Sequence, residues 1–334
     1  MNFPSRRSFL RASLAGATAI ALPAALRGAA QNSSFPRPDG HHVPPWRLPV
    51  AGSAHIRMGT AALQVDFGPG KLAVPQPEIV DWVRRAAEAL VTYYGTYPVP
   101  AARIYVQPAP GNGVFDGTTW GDVGGVPAFT RIQLGEQTTL AELQDDWMMT
   151  HEMVHYALPS LPDDQHWLEE GLAVYVEPIA RVQAGQLDQA SVWRDMMRDM
   201  PKGQPRPGEG GLDVTHTWGR TYWGGAGFCL LADVTLRRQT GNRSGLQQGL
   251  RALVGSGQSI ALNRDILPTL QLCDHATGTS VLTTLYQSMR EQPAPIDFDG
   301  LWRQLGVSLQ GDTVQYQDAA PLAAVRRAIF TRPA

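Results

Sequence analysis

His151-Glu152-Met153-Val154-His155 is the stretch whose reading decides this chain. On a helix, a separation of four residues puts both imidazoles on one face, one turn apart, where two nitrogens can converge on a zinc ion. Glu152 then points roughly a quarter-turn away, which suits a base beside a metal rather than a ligand on it. With only eight histidines in the chain, such a pentapeptide arises by chance in roughly one sequence of this composition per hundred. The bland alternative is a helix whose two histidines hydrogen-bond within the core. Thr139-Leu140-Ala141-Glu142 is a capping box, so the helix carrying the motif is predicted to start there, run to about Leu158 and stop at Pro159.

A zinc site of this type needs a third protein ligand and an open position. Downstream, His166-Trp167-Leu168-Glu169-Glu170-Gly171-Leu172-Ala173 begins a second predicted helix after a Pro/Asp turn, so a carboxylate near its start can face the first helix. Glu169 and Glu170 compete for that role. Helix neighbours lie about 100 degrees apart, so only one of the two can face the metal.

These residues resemble the gluzincin group of zincin metallopeptidases, which includes the peptidase-MA-like and glycyl aminopeptidase families. That group pairs HExxH with a downstream W-L-x-E-G-x-[AT], in which the Glu before Gly binds zinc. The resemblance implies a thermolysin-like zincin catalytic domain of α+β class, one Zn2+ per chain, and Glu170 as the ligand completing His151 and His155. A second block, Tyr222-Trp223-Gly224-Gly225-Ala226, running into Leu231-Ala232-Asp233, is similar to the Y-x-x-G-A helix of those families, whose Tyr donates a hydrogen bond to the oxyanion. Tyr222 is the matching residue, with Tyr175 and His216 as rival donors. The likeness covers residues 75 to 330. One departure stands out. Related aminopeptidases carry a Gly-rich edge strand with a Glu that captures the substrate amine, and the nearest equivalent here, Gly124-Gly125-Val126-Pro127-Ala128, has no acid. Gly124, Gly125 and His216 are retained as candidate substrate contacts.

Working outward, residues 55–136 read as a sheet-containing subdomain and 137–334 as a helical, zinc-binding one. Strands are expected within His55 to Phe67, Arg103 to Gln107 and Phe129 to Leu134, with a helix over Gln76 to Tyr94. Pro108 to Gly125, dense in Gly, Asp and Thr, reads as a surface loop, and Pro201 to Asp213 as a second one. The strand at Phe129 to Leu134 is expected to be the edge that pairs with an extended substrate. Trp120, Trp218 and Trp223 are candidates to line a cleft.

Residues 1–30 read as an export leader. Arg6-Arg7 directly before Phe9-Leu10, followed by an Ala-rich apolar run, resembles a twin-arginine signal, and Gly28-Ala29-Ala30 offers a cleavage site. Residues 31–54 form an irregular lead-in. Removing residues 1–30 deletes four arginines and no acid, so 28-4=24 cations face 30 acids and the charge moves from -2 to -6. The near-zero formal charge of the whole chain, with no Lys/Arg run outside the first dozen residues, gives no electrostatic sign of a nucleic-acid partner, and none is expected. After signal removal no stretch is apolar enough to span a membrane, so a periplasmic or secreted location is expected. Cys229 and Cys273 lie in apolar helical surroundings and read as buried thiols. The expected partner is a peptide or protein substrate. Rival functions are a zinc hydrolase of a non-peptide amide or ester, a catalytically silent zinc-binding protein, and a helical adaptor with structural histidines.

Overall fold

Alternate apolar residues build the inner face of the sheet. In the computed structural model, which describes residues 35–36, 42–43 and 47–332, Ala61, Leu63, Val65 and Phe67 are buried along one strand while Ala62 is exposed. The leader over residues 1–30 lies outside the described residues, as does part of the lead-in. Strand β1 (Gly52–Met58) pairs antiparallel with β2 (Ala61–Phe67). The chain then crosses over through helix α1 (Gln76–Tyr94) to β3 (Ala101–Ala109), which runs parallel to β2. Extended Pro75 and Pro77 in the first turn start α1, apolar residues at helical spacing bury its inner face, and left-handed Gly95 ends it by donating to the Val91 carbonyl.

Strands β4 (Val114–Val123) and β5 (Val126–Gly135) form a hairpin, and the sheet order is β1-β2-β3-β5-β4. This corrects two expectations. The Pro108 to Gly125 stretch is largely strand, because Thr118, Thr119 and Trp120 are β-formers paired to Thr130 and its neighbours on β5. The edge is β4, whereas the Phe129 to Leu134 segment is internal, held between β3 and β4. Gly124 and Gly125, with φ of 58° and 81°, are the turn of that hairpin rather than part of an edge strand.

The capping box at Thr139 forms as expected: its side chain accepts from the Glu142 N–H, and Glu142 accepts from the Thr139 N–H. The helix it starts, α2 (Leu140–Asp145), does not reach Leu158. It breaks at extended Asp146, whose carboxylate accepts from the N–H groups of Met148 and Met149 and so starts a new helix, α3 (Met148–Val154), finished by a 3-10 turn over His155–Ala157. Trp82 of α1 also donates to Asp146 at 3.2 Å.

Helix α4 (His166–Gln183) is buried on nearly every side and crosses the interior. Further helices are α5 (Gln189–Asp199), α6 (Gly225–Thr240), α7 (Leu246–Gly255), α8 (Ile266–Thr277), α9 (Val281–Met289), α10 (Phe298–Leu305) and α11 (Ala323–Phe330), with a hairpin of β6 (Val307–Gln310) and β7 (Thr313–Tyr316) between the last two. The main apolar core joins the sheet to the helices, with Ile104 and Ile132 from strands, Val83 and Leu90 from α1, Met149 and Met153 from α3, and Leu172 and Val176 from α4, and a smaller cluster of Tyr105, Val123 and Phe129 stands apart from it. Among the described residues no helix is long and apolar enough to cross a membrane. Cys229 and Cys273 are buried, unpaired thiols.

Candidate active site

Helices α3 and α4 lie against each other and bring three ligand atoms together. One atom each from His151, His155 and Glu170 all fall within 4.8 Å of one another. His151 Nε2 is 3.2 Å from Glu170 Oε2, and His155 Nε2 is 3.9 Å from Glu170 Oε1. Two imidazoles and a carboxylate are donor types that zinc takes; around a tetrahedral ion with bonds of about 2.0–2.1 Å, ligand atoms stand about 3.3 Å apart, a spacing His151 and Glu170 already have while His155 stands wider. The electrostatics treat the two imidazoles differently. Burial pushes His155 down to about 4, leaving it the neutral imidazole a metal requires. At Glu170 burial opposes ionisation but is outweighed by the attraction of the adjacent imidazoles and by hydrogen bonds from His151 and His166, so its pKa sits well below the usual carboxylate range. At His151 burial is likewise outweighed, by the hydrogen bond and charge of Glu170, and its pKa is raised.

The choice between the two neighbouring acids is made by the turn before α4. Glu169 accepts from the Leu161 N–H at 3.0 Å and meets His166 Nδ1 at 2.7 Å, facing away from the cluster. His166 was not singled out in the sequence. It bridges the pair, with its Nε2 3.2 Å from Glu170 Oε1, and the two carboxylates raise its pKa to about 10 against the opposing effect of burial.

Glu152 stands beside the cluster, against β4. Its Oε2 accepts from Thr119 Oγ1 at 2.8 Å; Thr119 is joined to Thr130 at 2.8 Å and Thr130 to the buried Tyr156 hydroxyl at 2.6 Å. Burial, against the opposing charge of His151, pushes the Glu152 carboxyl up to about 7, with the charges of Glu170 and Asp116 adding to the rise. Asp116, one residue before Gly117, was also missed at the sequence level because β4 was read as a loop. It puts an acid on the edge strand after all, paired with Arg131 at 2.6 Å.

Tyr222 arrives from the other side, on a single π-helical turn (Gly219–Gly224) that precedes α6. Burial raises its pKa above the ordinary tyrosine value, and so do the charges of Glu170 and Glu152 and a hydrogen bond to Glu170. Backbone contact makes this approach possible. A β-carbon on Gly171 would lie 2.3 Å from Gly225 Cα, and one on Gly225 would lie 2.2 Å from the Trp167 carbonyl oxygen. Only glycine at both positions lets α4 and α6 pack this closely. Of the rival donors, Tyr175 is buried and donates to Asp233 at 2.9 Å, and His216 is exposed on the loop before the π turn. Gly124 and Gly125 lie about 20 Å along β4 from Gly117, at the far end of the hairpin. Of the three tryptophans, Trp218 stacks on Tyr222 at 5.9 Å, Trp223 is buried, and Trp120 packs on Phe129.

The fold is of α+β class, a five-stranded mixed sheet followed by helices, and it brings His151, His155 and Glu170 together beside Glu152. A comparison with solved structures finds proteins of similar fold. An aminopeptidase N family protein from Idiomarina loihiensis matches 78% of this chain and 50% of its own at a TM-score of 0.55 and 13% identity, a likeness of fold. An M1 zinc metallopeptidase from Deinococcus radiodurans matches at a TM-score of 0.45 and 18% identity over 73% of this chain and 53% of its own. The same kind of enzyme from that organism, bound to a Tyr-Ser-Ala substrate, matches at 0.46 and 17% over 75% and 56%. The chain thus spans about half the length of the structures it resembles. No family model and no curated protein matches it.

Proposed function

We propose that this chain is an exported zinc metallopeptidase that hydrolyses peptide bonds, with Glu152 as general base. The observation that carries the reading is the position of Glu152, a buried carboxylate tuned to about 7 and held by Thr119 beside three converging ligand atoms. A site that only bound metal has no use for such a group.

His151, His155 and Glu170 would hold the zinc, whose chemistry when bound is Lewis-acid activation of water and of the scissile carbonyl. Glu152 takes the proton of the attacking water onto its carboxylate and delivers it to the leaving nitrogen. Tyr222 donates its hydroxyl hydrogen to the oxyanion that forms as the carbonyl is attacked. The terminal strand β4, paired only by β5 in the sheet, offers backbone groups to an extended chain, which favours a peptide over a compact amide or ester. Asp116 on that strand is an acid within electrostatic reach of Glu152.

The test is a diverse peptide library incubated with zinc-loaded wild type and with Glu152→Gln, the products read by mass spectrometry. Cleavage by wild type that is lost in Glu152→Gln is expected. Equal cleavage by both, or none by zinc-loaded wild type, overturns the reading. Export rests on the Arg6-Arg7 pattern; replacing both with lysine should leave the protein in the cytoplasm on fractionation.

A further inference from the structure

Beside Tyr222 is a cavity of about 280 Å³ whose lining includes Lys202, Arg206, Glu209, Trp218 and Arg220. Three of these are cations and one is an acid. Arg220 is 3% exposed and spends only Nη1 on the protein, donating to the Gly203 carbonyl at 2.6 Å. Its Nε and Nη2 are buried without a partner. A buried guanidinium with two unmet donors is costly unless a ligand supplies the acceptors, and the planar fork is matched by a carboxylate. Burial already lowers the Arg220 pKa, with the charge of Glu209 opposing, which marks a cation short of counter-charge. Arg206 is exposed at the rim, while Lys202 is engaged by Asp199 and lies over the Trp223 ring. Glu209 itself accepts from the Arg206 N–H at 2.9 Å.

The cavity is coupled to the catalytic cleft through one stacked pair. Trp218 forms its wall and lies on Tyr222, whose hydroxyl faces Glu170. Arg220 and Tyr222 share the same π-helical turn, a local widening that recurs at functional sites. Resting on the peptidase reading, we propose that this cavity is a specificity pocket that receives a carboxylate of the substrate, Arg220 forming its floor and Arg206 its rim. The carboxylate is that of an acidic side chain or of the chain's C-terminus.

Two measurements separate this inference from the reading beneath it. First, succinate is titrated into wild type, Arg220→Met and Arg206→Glu, following tryptophan fluorescence and heat, with circular dichroism to check the fold. Saturable binding by wild type is expected, weakened by about tenfold or more in both variants, as loss of a charge-assisted contact requires. Second, wild type and Arg206→Glu are given three matched peptides: one with an internal Glu and an amidated end, one neutral with a free C-terminus, and one neutral and amidated. One of the carboxylate peptides should lead the neutral amide in kcat/KM, identifying the source, and Arg206→Glu should erase that lead while still cleaving the neutral amide. If the neutral amide is cleaved as well as both others and succinate does not bind, the pocket is overturned and the peptidase stands. Arg220-dependent succinate binding with no peptide cleaved overturns the peptidase reading and, with it, the substrate assignment of the pocket. Succinate binding indifferent to both substitutions overturns the pocket as well.

Discussion

A β-carbon placed on Gly117 would lie 2.6 Å from both Cγ and Oε1 of Glu152. The edge strand and the acid beside the candidate metal ligands are therefore fitted to each other, backbone against carboxylate, with no room for the smallest side chain. Gly117→Ala should displace Glu152 while leaving His151, His155 and Glu170 in place. The expected outcome is a full equivalent of zinc by metal analysis with kcat reduced by at least tenfold. Wild-type turnover in that variant would mean Glu152 does not act from this position.

Tyr222→Phe removes one hydroxyl that faces Glu170. Losing one oxyanion donor costs about 2.7–4 kcal/mol of barrier, or about 10²–10³ in kcat, with KM and zinc content nearly unchanged. Activity within threefold of wild type would remove Tyr222 from the mechanism.

The pH dependence follows from the surroundings of Glu152. As the proposed base it is active only when ionised, and its pKa is raised to about 7, chiefly by burial, so kcat/KM should rise with pH through its inflection. The positive charge of a bound metal moves that inflection below 7. Thr119 stabilises the ionised form by its hydrogen bond, so Thr119→Val should move the acid limb to higher pH. Asp116 opposes ionisation by like charge, so Asp116→Asn should move it lower. Shifts in the same direction for both variants would contradict this assignment of the limb.

Gly171 and Gly225 hold α4 against α6. Alanine at either forces the helices apart, an overpacking cost of about 1–3 kcal/mol, and withdraws Tyr222 from Glu170. Thermal denaturation should show the lowered stability, and kinetics a fall in kcat larger than the change in zinc affinity. Unchanged melting would show that the close approach is not needed.

Zinc should stabilise the fold, since the three ligand atoms converge only in the folded chain. At a hundredfold excess of free zinc over Kd, the gain is about 2.7 kcal/mol, visible as a rise of several degrees in Tm that a chelator reverses. Glu170→Ala should abolish that rise. A rise of equal size in Glu170→Ala would place the metal elsewhere.

His151, Glu152 and His155 were legible because their relation is local: four residues of helix set the spacing whatever surrounds them. Helix α1 was legible for the same reason, its apolar spacing and Gly95 both being readable along the chain. Strand β4 was not. Its residues are all partly exposed but for the last two, its glycines and Asp look like loop, and only pairing with β5 makes it a strand. Asp116, Gly117 and Thr119 were missed with it. The break at Asp146 was hidden too, because a side chain that caps the next helix reads in sequence as one more helical residue.

The order of residues by itself determined the chemistry available to this protein: two imidazoles one turn apart, an acid between them, a carboxylate on the next helix, a tyrosine before a Gly-Gly-Ala helix. Tertiary structure decided which of those groups meet. Turning Glu170 inward and Glu169 outward depends on Leu161 and His166, and bringing Tyr222 to Glu170 depends on two glycine backbones in contact. Such choices are made by packing between segments far apart in the chain, where distances of a few tenths of an ångström select one arrangement and local sequence carries no record of the partner.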